Sequence, residues 1–496
     1  MANDYTGLLS GSYWSGIEVT AKPVIVTYSF PTTAPGYDAT IDDPNLTPTA
    51  LGSFSAFTLA EQAMARNALA EWGNNSGLVF IEVDPGQGDI NFQKLDFSGT
   101  GYDGYGGIAY RPFGDWNFLT SPYFSSDLDS SGDVFMNSDV PLVYGTLLHE
   151  IGHALGLKHP TEAWTQWAAN PPVTHAVWTL DDPNLTIMSQ LPGGSGHLTA
   201  IDLQAIQAIY GTNAQDGTQV ASWGWNAAKQ TLTQTGFAGN DAIRGSSVKD
   251  VISGMNGDDR LFGLNGNDTL NGGDGNDTLD GGPGNDKLNG GAGDDVYLIS
   301  AAGDKVSEAA NDGNDTVYST VSYTLASNVE VLGLLGAAKL NGTGNDLANS
   351  MFAGAGIAVL KGLGGDDYIV GGAAKDVLTG GVGADLLYGQ GAADQFIFAS
   401  VAEFATVGID AIGDFSHAQK DKINLKSIDP DAVTAGDQAF SFVGTAAFTV
   451  DARYQLRYVV QGADVVVQID ANHDTVADYQ ILLYGVGSLV ASDFVL

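Results

Sequence analysis

Two textures of apolar and polar positions divide this chain, one of mixed period up to about residue 211 and one of strict period beyond residue 240. In the first, Val24, Val26, Tyr28 and Phe30 alternate behind Pro23, and Leu78 to Asp84 is a second β-rich run, so both predict strands. Between them Leu59, Met64, Ala68, Leu69 and Trp72 keep helical spacing, with Thr58 as candidate N-cap and Gly73 as the stop. A second helix is expected over about 143–157. A third is expected to start at Thr199, whose hydroxyl caps it with Asp202 at N3, and to end at Tyr210 and Gly211. These predict an α+β domain over 1–215, followed by a polar, weakly patterned linker over 216–239.

From residue 240 an aspartate returns every nine residues, at Asp241, Asp250, Asp259, Asp268, Asp277, Asp286 and Asp295, with glycines in step at Gly257, Gly266, Gly275, Gly284 and Gly293. The fullest units read GGDGNDTLD (272–280) and GGPGNDKLN (281–289). Glycines permit left-handed turns, one apolar residue per unit (Leu261, Leu270, Leu279, Leu288) points inward from a short strand, and the aspartate reaches into the turn. Stacked turns of this kind gather hard oxygen atoms that suit Ca²⁺. A flexible Gly/Asp linker would have the composition but no reason to hold phase over seven units. Asp367, Asp376, Asp385 and Asp394 resume the step after a β-rich interlude over 296–360, with fewer complete glycine pairs. The repeat region therefore spans 240–400 in two blocks, and 401–496 returns to ordinary strand patterns. There Asp470, Asn472, Asp474 and Asp478 form a run partly like an EF-hand loop, lacking its Gly and terminal Glu; a calcium loop and a solvated turn both stay open.

Composition narrows the partners. With 19 basic and 58 acidic side chains the net charge is −39, which opposes nucleic acid and anionic membrane surfaces and favours divalent cations. The chain has no cysteine, so disulfides, a cysteine nucleophile and cysteine-ligated zinc are excluded. No apolar run is long enough to cross a bilayer, so no stable membrane insertion is expected. The first residues, Met-Ala-Asn-Asp-Tyr-Thr-Gly, lack the pattern of an N-terminal secretory signal.

Three of the seven histidines fall in one window, His149-Glu150-Ile151-Gly152-His153-Ala154-Leu155-Gly156-Leu157-Lys158-His159. His149 and His153 share one helical face, and a turn with positive φ at Gly156 brings His159 back to the same point. Three nitrogens and one open position describe a catalytic Zn²⁺ site. Glu150, beside the first ligand, is placed as the general base for a water.

The pattern H-E-x-x-H-x-x-G-x-x-H is the metzincin signature, and with the glycine-rich array downstream the whole chain resembles the serralysin family of secreted zinc metalloproteases. The resemblance implies a metzincin-like α+β catalytic domain, an all-β parallel β-roll and a C-terminal β-rich domain. It implies one catalytic Zn²⁺, several structural Ca²⁺ ions and hydrolysis of peptide bonds in protein substrates. Calcium would be held by Asp250, Asp259, Asp268, Asp277, Asp286, Asp295, Gly257, Gly266, Gly275, Gly284, Asp367, Asp376 and Asp385. Thr186-Ile187-Met188-Ser189 resembles the Met-turn, with Met188 as floor under the histidines, and Gly106 to Arg111 resembles the edge strand that pairs with substrate. His197 is then structural. Where the family has a tyrosine two residues after the Met, this chain has Gln190, an alternative oxyanion donor. The loop from His159 to Met188 is short for the family. The resemblance further implies a short propeptide, a monomer secreted to the extracellular space, and a type I secretion exporter reading Asp493-Phe494-Val495-Leu496. A different class stays open, an extracellular calcium-binding adhesin whose protease-like domain is inactive, as does, more remotely, an exported lipase, for which no G-x-S-x-G stands at a strand-to-helix turn.

Overall fold

The computed structural model describes residues 24–34, 48–102, 105–110, 132–160, 165–166, 173–174, 181–190, 196–212, 220–400, 403, 408–428, 439–450, 454–472 and 474–496. They fall into two compact units, residues 1–256 with 260–270, and residues 257–259 with 271–496.

The first unit begins with a five-stranded sheet. Strand β1 (Val24–Ser29) lies between β2 (Leu78–Glu82) and β3 (Ile90–Leu95), both parallel to it. Outside β3 come β5 (Val134–Asn137), parallel, and then β4 (Gly107–Ala109), the one antiparallel strand and an edge. Both faces of β1 are covered, so Val24, Val26 and Tyr28 join one apolar cluster while Ile25 joins another. Across the sheet lie α2 (Leu59–Gly73), α3 (Tyr144–Ala154) and α4 (Ala200–Tyr210), the first of these preceded by the short α1 (Pro48–Gly52). Thr58 caps α2 and Thr199 caps α4, each in a reciprocal box with the residue at N3, Glu61 and Asp202. Trp72 is fully buried, and its indole N–H donates to Leu148 O at 3.2 Å, which fixes α2 against α3.

The expected linker is not one. Ser222–Asn226 and Thr231–Thr235 form an antiparallel pair, and the second of them pairs in parallel with Lys249–Asn256. Four of the five residues of Ser222–Asn226 are exposed and only Trp225 packs, partly buried, on an apolar cluster, which explains the misleading polarity. Within the same unit Leu232 and Val248 pack on Ile25, Ile81 and Val83. Asp89 ties the sheet to the repeat. Its carboxylate accepts from Thr27 N and Oγ1 and from Ser247 Oγ, and lies 3.7 Å from Arg244 Nη2.

In the second unit the repeat strands pair in parallel with those two repeats away, as in Thr278↔Val296 and Val377↔Gln395. Consecutive repeats therefore go to alternate sheets, and two repeats make one coil. Leu279 and Leu288 are buried between them, as are Leu261 and Leu270 in the first unit. The interlude continues the coils, with Thr316–Ser319, Val331–Leu334 and Ser350–Phe352 stacked in parallel. At the far end Asp410–Ile412 pairs in parallel with Tyr479–Leu483, and antiparallel Asp464–Asp470 and Gln455–Gln461 follow. Phe494–Val495 pairs with Lys422–Asn424 on the other sheet.

Asp89 and Arg244 are both well buried, so removing one partner strands the other charge. Asp89→Ala is predicted to cost the first unit about 3–5 kcal/mol, read by urea unfolding followed through tryptophan fluorescence; a shift within error would contradict the role given to this pair.

Candidate metal centre and carboxylate ladder

Helix α3 carries His149, Glu150 and His153 and ends in a Schellman turn. Gly156, at φ +91°, donates to His153 O at 2.8 Å, and Leu157 N donates to Gly152 O at 2.9 Å. The reversal brings His159 back, so that its Nε2 lies 3.2 Å from His149 Nε2 and 3.0 Å from His153 Nε2. His149 Nδ1 lies 2.7 Å from Ile187 O and His153 Nδ1 lies 2.8 Å from Leu157 O. A carbonyl only accepts, so both Nδ1 atoms carry the proton and both Nε2 atoms present lone pairs to one point. Burial pushes His149 down to about 4, against the opposing pull of Ile187 O, so it is neutral as a ligand must be. The donor set fits Zn²⁺.

A second layer holds the first. Asp202 accepts from Thr186 Oγ1 and, at 3.1 Å, from Ile187 N, while Met188 N donates to Thr186 Oγ1. The turn so fixed aims Ile187 O at His149. Met188 is fully buried, and a Cβ on Gly152 would overlap its sulfur. The glycine inside the histidine motif thus admits the turn of residues 186–189 beneath the helix. Glu150 is buried, and desolvation raises its carboxyl to about 8. Beside it runs the edge strand: a Cβ on Gly107 would lie 2.9 Å from Glu150 Cγ. Arg111, at the end of that expected strand, lies outside the described residues. Gln190 is exposed, and its backbone N–H donates to Asp181 Oδ2 at 2.9 Å. His197 faces Glu71 at 3.1 Å and stands apart from the three converging rings. Sequence reasoning missed the second task of Asp202, and it missed Asp181, whose charge reaches His149. Both act across contacts that no local pattern encodes.

The repeats build a ladder. Along it an aspartate accepts through Oδ1 from a backbone N–H one coil back: Asp250 N to Asp268, Asp259 N to Asp277 and Asp277 N to Asp295, each at 2.7 Å. The second block repeats this from Asn349 N to Asp367, Asp367 N to Asp385 and Asp376 N to Asp394. The other oxygen, Oδ2 of Asp277, Asp295, Asp367, Asp385 and Asp394, is buried with no hydrogen-bond donor. It sits against the glycine five residues earlier: a Cβ on Gly272 would overlap Asp277 Oδ2 and would come within 2.5 Å of Gly290 O. A carboxylate and a carbonyl oxygen turned to one space are what a hard cation takes. Two predicted ligands differ. Asp250 Oδ2 accepts from Ser246 N at 2.8 Å and Asp376 Oδ2 from Gly372 N at 2.6 Å, so in both the oxygen is used as a local cap. Asp259, Asp268 and Asp286 are also buried on the ladder. Asp410 and Asp421 hold the same place for Asp385 and Asp394, at steps of 25 and 27 residues that hide them from a nine-residue search. In the 470–478 run, Asp478 Oδ2 caps Ala471 N and Asn472 N, and Asp470 Oδ2 accepts from Thr475 N.

Three family patterns match, in order along the chain. One described as Matrixin covers residues 55–169, the RTX calcium-binding nonapeptide repeat covers 235–270 and 262–297, and one described as Peptidase M10 serralysin C terminal covers 345–496. In domain order the chain is serralysin-like. Serralysin C of Dickeya chrysanthemi is 28% identical over 235 residues, 43% of this chain and 44% of that protein. Metalloprotease AprA of Pseudomonas entomophila (strain L48) is 27% identical over 254 residues, 46% of this chain and 48% of its own. Serralysin A of Dickeya chrysanthemi is 29% identical over 229 residues, 43% and 44% of the two chains. The chain thus spans less than half the length of these curated relatives in each match. The serralysin-like order sets the histidine centre in the matrixin segment and the ladder in the repeat and C-terminal segments.

Two outcomes follow from this geometry. Asp202→Asn is predicted to weaken zinc binding about 10- to 100-fold, measured by competition with a chromogenic chelator; unchanged affinity would remove Asp202 from the second layer. Burial first, then repulsion between neighbouring carboxylates, raises Asp295 and Asp367 to about 8, and burial chiefly raises Asp394 to about 7 and Asp277 to about 6. A raised folded-state value means stability that is complete below the unfolded value of about 4 and is lost as pH climbs through 6 to 8. In EGTA the repeat region is therefore predicted to gain β-structure as pH falls from 8 to 5, by circular dichroism; no pH dependence would contradict the ladder's electrostatics.

Proposed function

We propose that this chain is a secreted, calcium-dependent zinc endopeptidase. The observation that carries the reading is the convergence of three imidazole Nε2 atoms beside a buried carboxyl and an edge strand. A zinc ion held by His149, His153 and His159 would polarise the scissile carbonyl and lower the pKa of a water toward neutrality. The chain's own groups do the rest. Among the described residues no further strand pairs with β4, so an extended protein substrate can pair along that edge, and Gly107 lets it run close to Glu150. Glu150 holds and moves the proton, accepting it at its carboxylate from the attacking water and returning it to the leaving amine. Burial alone holds its carboxyl at about 8, and positive charge at the histidines would favour the ionised form that a base requires. Gln190 has an amide that can donate to a developing oxyanion and no charge with which to compete for zinc.

Calcium dependence and secretion form one argument. At the low free Ca²⁺ inside a cell the ladder repels itself, and at the roughly millimolar Ca²⁺ outside, binding becomes folding free energy. A monomer exported by a type I system belongs to the same reading.

Glu150→Gln is predicted to lower casein hydrolysis about 100- to 10,000-fold with zinc content unchanged. A variant of full activity would sink the assignment of the base. If the unaltered protein, loaded with zinc and calcium, digests nothing, the adhesin reading takes its place.

A further inference from the structure

The ladder keeps its step as far as Asp304, whose Oδ1 accepts from Asp286 N at 3.1 Å, and around Asp295 the chain departs from its own repeat in three places. Leu279 and its partner Tyr297 occupy matching inward positions on paired strands, so the usual leucine has become a tyrosine. The Gly290 N–H lies 2.7 Å from the Tyr297 hydroxyl and 3.2 Å from Glu308 Oε1. In the preceding coil the carbonyl facing Asp277 Oδ2 comes from Gly290, which stands 18 residues after Gly272. The residue in that place for Asp295, 18 after Gly290, is Glu308. Its own carbonyl accepts from Asn328 Nδ2, the Tyr297 hydroxyl stands beside Asp295 Oδ2 at Gly290, and the turn gains a carboxylate that no earlier unit carries there. In the series of coils that carries Asp295, the following aspartate comes 20 residues on instead of 18: Asp295 N donates to Asp315 Oδ1 at 2.9 Å.

One ligand atom from each of Asp295, Glu308 and Asp315 lies within 4.8 Å of the others. Asp295 is 1% exposed, and its Oδ2 is buried without a donor, as is Glu308 Oε2. That pair is the second, independent sign of a missing ligand, since a buried carboxylate oxygen without a partner is costly. The spacing suits oxygens ringed round an ion at about 2.3–2.6 Å. Neither Glu308 nor Asp315 falls inside the matched repeat (ending at 297) or the matched C-terminal segment (beginning at 345).

We propose that Asp295, Glu308 and Asp315 form a divalent-cation site of their own, for a hard ion such as Ca²⁺, which closes the first repeat block and fixes the interlude that follows. Three carboxylates in place of one or two with carbonyls make it more charged than the repeat turns, and ligand charge is one of the quantities that set Ca²⁺ affinity. Burial first, then the charges of Asp277, Glu308 and Asp315, puts Asp295 at about 8; burial, then Asp315, puts Glu308 at about 7; and burial, then Glu330, Asp294 and Asp312, puts Asp315 at about 6. Shared protons are the competing account of the cluster, and they predict no ion.

The inference rests on the calcium reading of the repeats, and equilibrium dialysis separates the two. The full chain, saturated with zinc, is titrated with Ca²⁺ beside Glu308→Gln, Asp367→Asn in the second block, and the double variant. The expected result is one fewer ion per chain for Glu308→Gln and two fewer for the double variant. Should Glu308→Gln fail to fold, Asp315→Asn reads the same ion. If the unaltered chain binds Ca²⁺ and a folded Glu308→Gln or Asp315→Asn binds the same number with the same affinities, the cluster is a proton-sharing group and the inference is overturned. If the unaltered chain binds no Ca²⁺, the calcium reading of the repeats itself falls.

Discussion

Acceptor atoms turned toward acceptor atoms, with a cation needed between them, are the constraint on which both units of this chain depend. At the histidine centre, carbonyl oxygens take the Nδ1 protons of His149 and His153 and so direct both Nε2 lone pairs at the point that His159 also faces. Along the ladder, at Asp277, Asp295, Asp367, Asp385 and Asp394, a backbone N–H takes one carboxylate oxygen and leaves the other buried beside a glycine. In each case the backbone spends its hydrogen bonds on orientation, and the remaining lone pairs are left for an ion. The net charge of −39 is the same arrangement seen from the sequence: much of it lies on a ladder whose burial is tolerable only when the charge is met.

Glycine makes the close approaches possible in both places, by different means. Gly156 supplies a backbone conformation, the positive φ that reverses α3 and returns His159. Gly152 and Gly272 supply absence of a side chain, one for the Met188 sulfur and the other for the Asp277 oxygen. The H-E-x-x-H-x-x-G-x-x-H spacing and the G-G-x-G-x-D spacing are thus both records of which atoms must fit against bare backbone.

This also explains what was legible in the sequence. Thr58, Thr199 with Asp202, the reversal at Gly156 and the nine-residue phase are local, so residues within a few positions of each other determine them. The strands at 222–226 and 231–235 were hidden because the first of them turns only Trp225 toward an apolar cluster. Asp410 and Asp421 were hidden because longer steps bring them to ladder positions that only the folded chain reveals. Asp202 was legible as a cap and illegible as the support of the turn of residues 186–189, and Gly107 gave no sign that it lies against Glu150, because those contacts join separate segments.

Anomalous diffraction from crystals grown with zinc and calcium, collected on both sides of the zinc edge, tests the central claim most directly. The account predicts a zinc peak about 2.0–2.1 Å from Nε2 of His149, His153 and His159, with calcium density at Oδ2 of Asp277, Asp295 and Asp367. A fully ordered protein with no zinc peak at the three nitrogens and no density at those carboxylates would contradict it.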